Sequence, residues 1–361
     1  MTSWRVAHVV VSDGFAGTER YVANLAGAQH RAGHRVTVLG GDPVRMDAAL
    51  PGGVHHEEVT TVLGAVRALR RVGPLDVVHA HLTTAETAAC LAFPLRRHAP
   101  IVVSTRHIAR RRGSTWVARA MAVWIRQRLD LQIAISNYVA RNVDGRSVVL
   151  LTGVSPRALG SAERAVVLVT QRLESEKDTA TAIRAWALSG LDRQGWRLEV
   201  LGAGREHRRL EALAGELCVA ASVDFVGWAD DVEARMEAAA LLLAPAPGEP
   251  FGLAVAEAMA WGLPVVAAAA GGHLETVGAV ADARMFAPGD ADEAATLLRE
   301  LAADPVGRSS YGRSLRAYQR SHLTLEGHAA AVSEVYRATR RAKDATIRNR
   351  RHDRIPAGPL R

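Results

Sequence analysis

The chain is short of the residues that staple or anchor a protein. It has only two cysteines in 361 residues, Cys90 and Cys218. Neither has a second Cys or a Cys-His cluster near it, so no disulfide framework or zinc site is readable. That usage suits a reducing cytosol. No window reaches the ~18 uncharged apolar residues of a membrane span. The most apolar region, 238–272, is broken by Glu249, Pro250, Glu257 and Pro264. The first five residues run straight into the strand-like Val6–Val11, with no apolar core and cleavage signal of a secretory leader. The dinucleotide fingerprint G-x-G-x-x-G is also missing, since Gly202-Ala-Gly-Arg-Glu-His207 ends in His. No short repeat or low-complexity run occurs.

What is present is ordinary for a globular chain: 48% apolar and 23% charged residues. The length predicts two domains. The net charge of +8 is concentrated at one end, where Arg340–Arg361 holds eight Lys/Arg against Asp344 and Asp353 and so accounts for +6. That reads as a solvated, disordered tail or as a weak contact with an acidic surface, and no nucleic-acid partner is expected.

Apolar β-branched runs alternate with helical patterns along the chain. Strands are expected at Val6–Val11, Arg35–Leu39, Asp76–Ala80, Ile101–Thr105, Leu131–Ile135 and Ser147–Leu150. A second series runs Ala165–Thr170, Arg197–Leu201, Val223–Val226, Ala240–Ala244 and Pro264–Ala268. Continuous apolar strands alternating with helices predict parallel sheets covered on both faces, hence two doubly wound α/β domains with C-terminal helices. The expected division is residues 1–155, 156–323, a helix over 324–341 and the basic tail 342–361. Open α/β sheets bind ligands at the carboxyl ends of their strands, so a cleft between two such domains is the expected site.

Four segments carry candidate chemistry. The first is Pro247-Gly-Glu-Pro-Phe-Gly-Leu-Ala-Val-Ala-Glu257. Gly252 opens a helix whose free N–H groups and dipole suit a phosphate, and Glu249 and Glu257 stand eight apart. The plainer reading is a helix with a charged cap and one solvated Glu. The second is Gln171-Arg-Leu-Glu-Ser-Glu-Lys177, where Arg172 and Lys177 flank a strand-to-helix loop. They would grip an anion or form a surface charge pair. The third is Asp13-Gly-Phe-Ala-Gly-Thr-Glu-Arg20, with Gly17 before Thr18, a candidate N-cap. The fourth is Ser104-Thr-Arg-His107, whose imidazole would hold or deprotonate a hydroxyl.

Together these segments resemble the large retaining glycosyltransferase family 4, of the GT-B fold. The resemblance runs from Val6 to about Ala338. Its strongest element is Glu249-Pro-Phe-Gly-x4-Glu257-Ala-Met-Ala-x-Gly-x-Pro-Val-Val266, followed by Gly271-Gly-x-x-Glu275-x-Val277. Asp76-Val-Val-His-Ala-His81 and Leu201-Gly-x-Gly204 support it. The resemblance implies that Arg172 and Lys177 neutralise a donor diphosphate and that Glu249 contacts the donor sugar. It places Phe251, Gly252 and Leu253 along sugar and phosphates, and Glu257 on the nucleotide ribose. Gly17 would approach the diphosphate and His107 the reacting hydroxyl. It implies a UDP- or GDP-sugar donor, an unspecified hydroxyl acceptor and no metal or other cofactor. Three positions depart from the pattern: Ala16-Gly17 replaces a glycine pair, Thr152 an asparagine, and Asp178 the glycine after the lysine.

Competing readings are an idle sugar-nucleotide-binding protein, an NAD-dependent oxidoreductase and a two-carboxylate glycosidase. The glycosidase would leave Arg172, Lys177 and the helix-start glycine unexplained. Finally, residues 106–128 hold seven arginines and no acid, interleaved with Trp116, Val117, Met121, Val123, Trp124 and Ile125. This is the pattern of a core-facing helix, or of a helix lying on an anionic membrane surface. The expected location is cytoplasmic, with membrane contact at the inner face under the second alternative.

Overall fold

The computed structural model describes residues 3–94, 99–162 and 164–352. The chain divides into two compact units, Met1–Leu151 with Leu325–Arg361, and Thr152–Thr324. In the first unit the elements run β1 (Arg5–Val10), α1 (Gly17–Arg31), β2 (Arg35–Leu39), α2 (Pro43–Ala49), β3 (His55–Glu57) and α3 (Val62–Arg71). They continue as β4 (Val77–His81), α4 (Leu82–Ala92), β5 (Ile101–Arg106), α5 (Trp116–Arg128), β6 (Leu131–Ala134), α6 (Asn137–Asn142) and β7 (Val148–Val149). The second unit holds β8 (Arg164–Thr170), α7 (Thr179–Ser189), β9 (Arg197–Leu201), α8 (His207–Glu216), β10 (Val223–Gly227), α9 (Val232–Ala238) and β11 (Ala239–Ala244). It closes with α10 (Leu253–Trp261), β12 (Val265–Ala268), β13 (Arg284–Phe286), α11 (Ala291–Ala303) and α12 (Pro305–His322). Helix α13 (Leu325–His352) returns to the first unit.

Among the described residues the first sheet has the order β3-β2-β1-β4-β5-β6-β7 and the second β10-β9-β8-β11-β12-β13. All the pairings are parallel. The apolar runs do what their composition requires: in β1, β4, β5 and β11 nearly every residue is buried, and in β8 the central run Val166–Val169 is. In each sheet the order reverses at the first strand, between β1 and β4 and between β8 and β11. In open α/β sheets such a reversal point, at the carboxyl ends of the strands, is where ligands bind.

Three expectations change. The C-terminal helix is part of the first unit and runs to His352, so 342–352, expected to be disordered, are helical; 353–361 lie outside the described residues. Its hold is polar as well as apolar: Lys343 Nζ donates to Asp130 at 2.7 Å and to the Pro100 carbonyl at 2.9 Å. The arginine-rich helix α5 does not face the core along its apolar stripe. It buries only Ala122 and Ile125, while Trp116 is 81% exposed and Val117, Met121 and Val123 are also exposed. Finally, α1 begins at Gly17 itself, with Ala16 as its cap. Glu19 Oε2 accepts from the Ala16 N–H at 2.9 Å, so Thr18 is not the cap.

Candidate active site

The second unit brings together two of the expected charges. After β8 the chain makes a single turn over Ser175–Lys177 and enters α7. After β11 it forms the loop 245–252 and enters α10. Because β8 and β11 are neighbours, these loops meet, and Lys177 Nζ donates to Glu249 Oε2 at 2.6 Å with both side chains mostly buried. Arg172 is not drawn in with them. It is exposed and pairs with Glu176 at 2.9 Å, and that pairing helps hold the Glu176 carboxyl below its ordinary range, behind its own backbone contacts.

Two glycine features shape the floor. Gly252 caps α10 at φ +91, a left-handed conformation that side chains resist. It places no side-chain oxygen on the helix start, so the first amides of α10 are left to other partners. The Gly271-Gly272 turn packs directly on the chain beneath: a Cβ on Gly271 would lie 2.5 Å from the Glu249 carbonyl, and one on Gly272 2.5 Å from Phe251 Cα. Gly272 N–H also donates to the Glu249 carbonyl at 2.7 Å. The second glycine motif thereby fixes the backbone of the first. Phe251 is fully buried and holds the loop from below, while Leu253 and Glu257 are half-buried on α10.

The departure at Asp178 has a local explanation. This residue sits at φ +49, where glycine is the easy choice. Its carboxylate caps α7, accepting from Thr181 N at 3.4 Å and Thr181 Oγ1 at 2.7 Å. It therefore serves the helix start.

One residue was passed over in the sequence. His273, an unspecified position in Gly271-Gly-x-x-Glu275, is buried. Its Nδ1–H donates to the Ala268 carbonyl at 3.2 Å, and its ring lies against Gly252. Burial lowers its pKa, while the charges of Glu249 and Lys177 act on it in opposite senses. A buried imidazole beside the Lys177–Glu249 pair is a polar contact that the glycine pattern alone did not disclose.

Gly17 and His107 belong to the first unit. His107 follows β5 and is buried, with burial, His328 and Arg106 holding its pKa down to about 3. At neutral pH it is an uncharged ring and too weak a base to keep a proton. An uncharged ring of this kind can hold a hydroxyl by a hydrogen bond. Its Nε2 meets His81 Nδ1 at 3.1 Å, and Tyr21 stands edge-on at 4.7 Å. The loop beyond it is pinned by Arg112, a buried side chain. Its Nε donates to Glu86 Oε2 at 2.6 Å and its Nη1 to Asp144 Oδ2 at 2.8 Å. Arg106 is likewise buried, 3.6 Å from Glu86. Two of the seven arginines thus leave the surface charge; Arg110, Arg111, Arg119 and Arg126 remain exposed.

Known proteins resemble the chain along most of its length. The family model "Glycosyltransferase Family 4" matches residues 15–149, and "Glycosyl transferases group 1" matches 155–320. A glycogen synthase of Mycobacterium tuberculosis is 27% identical over 95% of both chains. The lipopolysaccharide core biosynthesis glycosyltransferase LpsE of Rhizobium meliloti is 30% identical over 48% of this chain and 49% of its own. Among solved structures, Anabaena HepE in complex with UDP and glucose superposes with a TM-score of 0.78 at 20% identity, covering 92% of this chain and 99% of that one. At that identity the likeness speaks for the fold.

Proposed function

The chain is a glycosyltransferase of the group 1, family 4 type with the GT-B fold, and from that premise we propose that it moves a sugar from a UDP- or GDP-sugar to a hydroxyl acceptor with retention of anomeric configuration. The observation that carries the proposal is the Lys177–Glu249 pair at 2.6 Å beside the uncapped start of α10. Lys177, joined by Arg172 on a new rotamer, takes the donor diphosphate, and the α10 amides add a fixed positive field. Glu249 accepts from the sugar hydroxyls and Glu257 from the ribose diol. Phe251, Gly252 and Leu253 line the sugar and phosphates. In the first unit Gly17 keeps the β1–α1 turn free of a side chain, and His107 holds a hydroxyl. The acceptor oxygen attacks the anomeric carbon from the leaving-group face as the sugar–phosphate bond breaks, and its proton passes to the departing diphosphate oxygen. No covalent sugar–enzyme bond is required.

Screening UDP-, GDP- and dTDP-sugars for hydrolysis or transfer tests the class, and NMR of the product's anomeric configuration tests retention. An inverted product overturns retention. Nucleotide binding without turnover of any donor favours the idle binding protein instead, and thermal stabilisation by NAD alone favours an oxidoreductase.

A membrane-facing acceptor is the accompanying proposal, because α5 presents Trp116, Val117, Met121 and Val123 outward beside Arg119 and Arg126. Outward apolar residues flanked by cations suit the interface of an anionic bilayer at the cytoplasmic face. Among the described residues no helix is long and apolar enough to cross a membrane. Co-sedimentation with anionic but not neutral vesicles, weakened by Trp116→Ala and by Arg110/Arg111/Arg119→Ala, is the expected result. No binding to either vesicle retires the surface and leaves a soluble acceptor.

A further inference from the structure

One face of the first sheet carries a row of histidines beneath α1 and α13. Strand alternation puts His8, His79, His81, Thr105 and His107 on the same side, and parallel register sets His8 beside His79 and His81 beside Thr105. His8, His79 and His81 are fully buried. Their ring nitrogens lie within 4.8 Å of one another, a spacing that would suit a metal ion. Each of these nitrogens, however, already has a hydrogen-bond partner. The cluster is therefore satisfied as a hydrogen-bonded chain.

The direction of that chain can be worked out. A neutral imidazole has one N–H and one bare nitrogen, so fixing one fixes the other. Gln29 Nε2 donates to Tyr336 Oη at 3.3 Å, which leaves its Oε1 as acceptor to His8 Nε2 at 2.8 Å. His8 Nδ1 is then bare and accepts from His81 Nε2–H at 3.0 Å. His81 Nδ1 is bare in turn and accepts from His107 Nε2–H at 3.1 Å. The remaining bonds agree with this orientation. His328 donates through Nδ1, because its partner at 2.8 Å is the Leu151 carbonyl, and so its Nε2 accepts from Tyr21 Oη at 2.8 Å. With its oxygen accepting from Gln29, Tyr336 donates to His79 Nδ1 at 2.6 Å, and His79 Nε2–H donates to Thr105 Oγ1 at 2.6 Å.

We infer that Gln29, His8 and His81 are positioning residues that lock His107 as the Nε2–H tautomer and so keep its Nδ1 lone pair available to a substrate hydroxyl. His107 Nδ1 bonds no described group, and the residue, though buried, keeps 8% of its surface exposed. The wrong tautomer would offer that hydroxyl an N–H where an acceptor is needed. The inference deepens the proposed role of His107 and rests on the glycosyltransferase reading for its catalytic consequence, but not for the tautomer itself.

The test uses the full chain labelled with 15N-histidine, with His107 assigned by its loss in His107→Gln. At pH 7.5 the long-range proton–nitrogen spectrum should show His107 bare at Nδ1 and protonated at Nε2. His81→Phe removes the acceptor, and Gln29→Leu removes the end of the chain with little change of volume. In either variant His107 should become a mixture of tautomers. Turnover of UDP-glucose, or of the donor the screen selects, should fall about 10-fold, the scale on which lost orienting partners act. Donor KM should stay within about twofold, since the grip on the nucleotide is elsewhere. His81→Gln, which still offers an oxygen to His107, should restore part of both signals. A wild-type His107 bare at Nε2 overturns the assignment, as does a folded variant whose His107 tautomer and turnover are both unchanged. The spectrum needs no substrate, so a correct tautomer in a protein that turns over no sugar nucleotide would sink the enzymatic reading and leave the hydrogen-bond chain standing.

Discussion

At the scale of single residues, the candidate site depends on charges held where they are costly. Lys177 and Glu249 are both mostly buried at 2.6 Å, and removing one leaves the other a partly desolvated, unpaired ion. Lys177→Ala should therefore weaken UDP or GDP binding by about 1.5–3 kcal/mol, the range for charge-assisted hydrogen bonds. Calorimetric titration with the free diphosphate checks this, and an unchanged affinity would remove Lys177 from the phosphate site. Arg172, exposed on Glu176, has to exchange that partner for the ligand, so Arg172→Ala should cost less than Lys177→Ala in the same titration. Asp178 offers a contrast in stability alone. Its carboxylate caps α7 from a left-handed backbone, so Asp178→Ala loses the cap, about 1 kcal/mol, and keeps the unfavourable conformation. Asp178→Gly loses the same cap but relieves the backbone, and urea denaturation should find it more stable than the Ala variant. The reverse order would show that the φ +49 geometry carries no strain.

At the scale of elements, what could be read from the sequence followed from locality. Long apolar strands and the helices between them announce themselves by period, and β1, β2, β8, β9 and β11 fall within a residue or two of their expected bounds. The three-residue β3 and β13 were not readable, because His55–Glu57 and Arg284–Phe286 are too short and too polar to show a pattern. Lys177 and Glu249 were legible through their motifs. The histidine chain was not, since Tyr21–His328 and Gln29–Tyr336 each join residues 307 apart. His79 and His81 were visible only as part of a motif without a stated role. Helix α5 shows the limit of periodicity: an apolar stripe beside arginines reads the same whether it meets a core or a bilayer, and the exposure of Trp116 speaks against the core alone. The glycine turn after β12 yields a prediction of its own. A methyl group on Gly272 would meet the Phe251 backbone at 2.5 Å, which must shift and carry Glu249 with it. Gly272→Ala should thus raise donor KM by about 10-fold or more, the effect of displacing a binding group by a fraction of an ångström, while the thermal unfolding of the first unit is unaffected. Wild-type donor kinetics in Gly272→Ala would mean that the two glycine motifs are not mechanically coupled.

At the scale of the whole molecule, the chain leaves the first unit at Leu151 and re-enters it at Leu325, and the returning helix α13 supplies His328 and Tyr336 to the buried cluster. The first unit therefore holds a concentration of buried histidines. Burial lowers His8 and His328 to about 4 and His107 to about 3, and it also lowers His79 and His81. The groups facing them are Tyr21 and Gln29 from α1, Thr105 and Arg106 from β5 and Tyr336 from α13, with no carboxylate among the causes that shift these histidines. In the second unit burial lowers His273, and Glu249 opposes that shift. His8 and His328 each take a proton in the unfolded chain near pH 6.5 but stay neutral in the fold until near 4. Below 6.5 the unfolded state binds more protons, so stability falls as pH falls, and it is fully present only above that value. Each histidine loses about 1.4 kcal/mol per pH unit in this window. His8 and His328 alone would then remove about 4 kcal/mol by pH 5, a large share of the roughly 5–15 kcal/mol that holds a domain together. Ordinary carboxylates, with pKa values near 4, are still ionised there, so the two units should separate in their response. Hydrogen exchange at pH 7.5 and pH 5.0, corrected for the intrinsic dependence of exchange on pH, should show β1, β4 and α13 losing protection together while β8 and β11 retain theirs. Equal loss in both units, or earlier loss in the second, would show that the histidine cluster does not control the acid stability of the first.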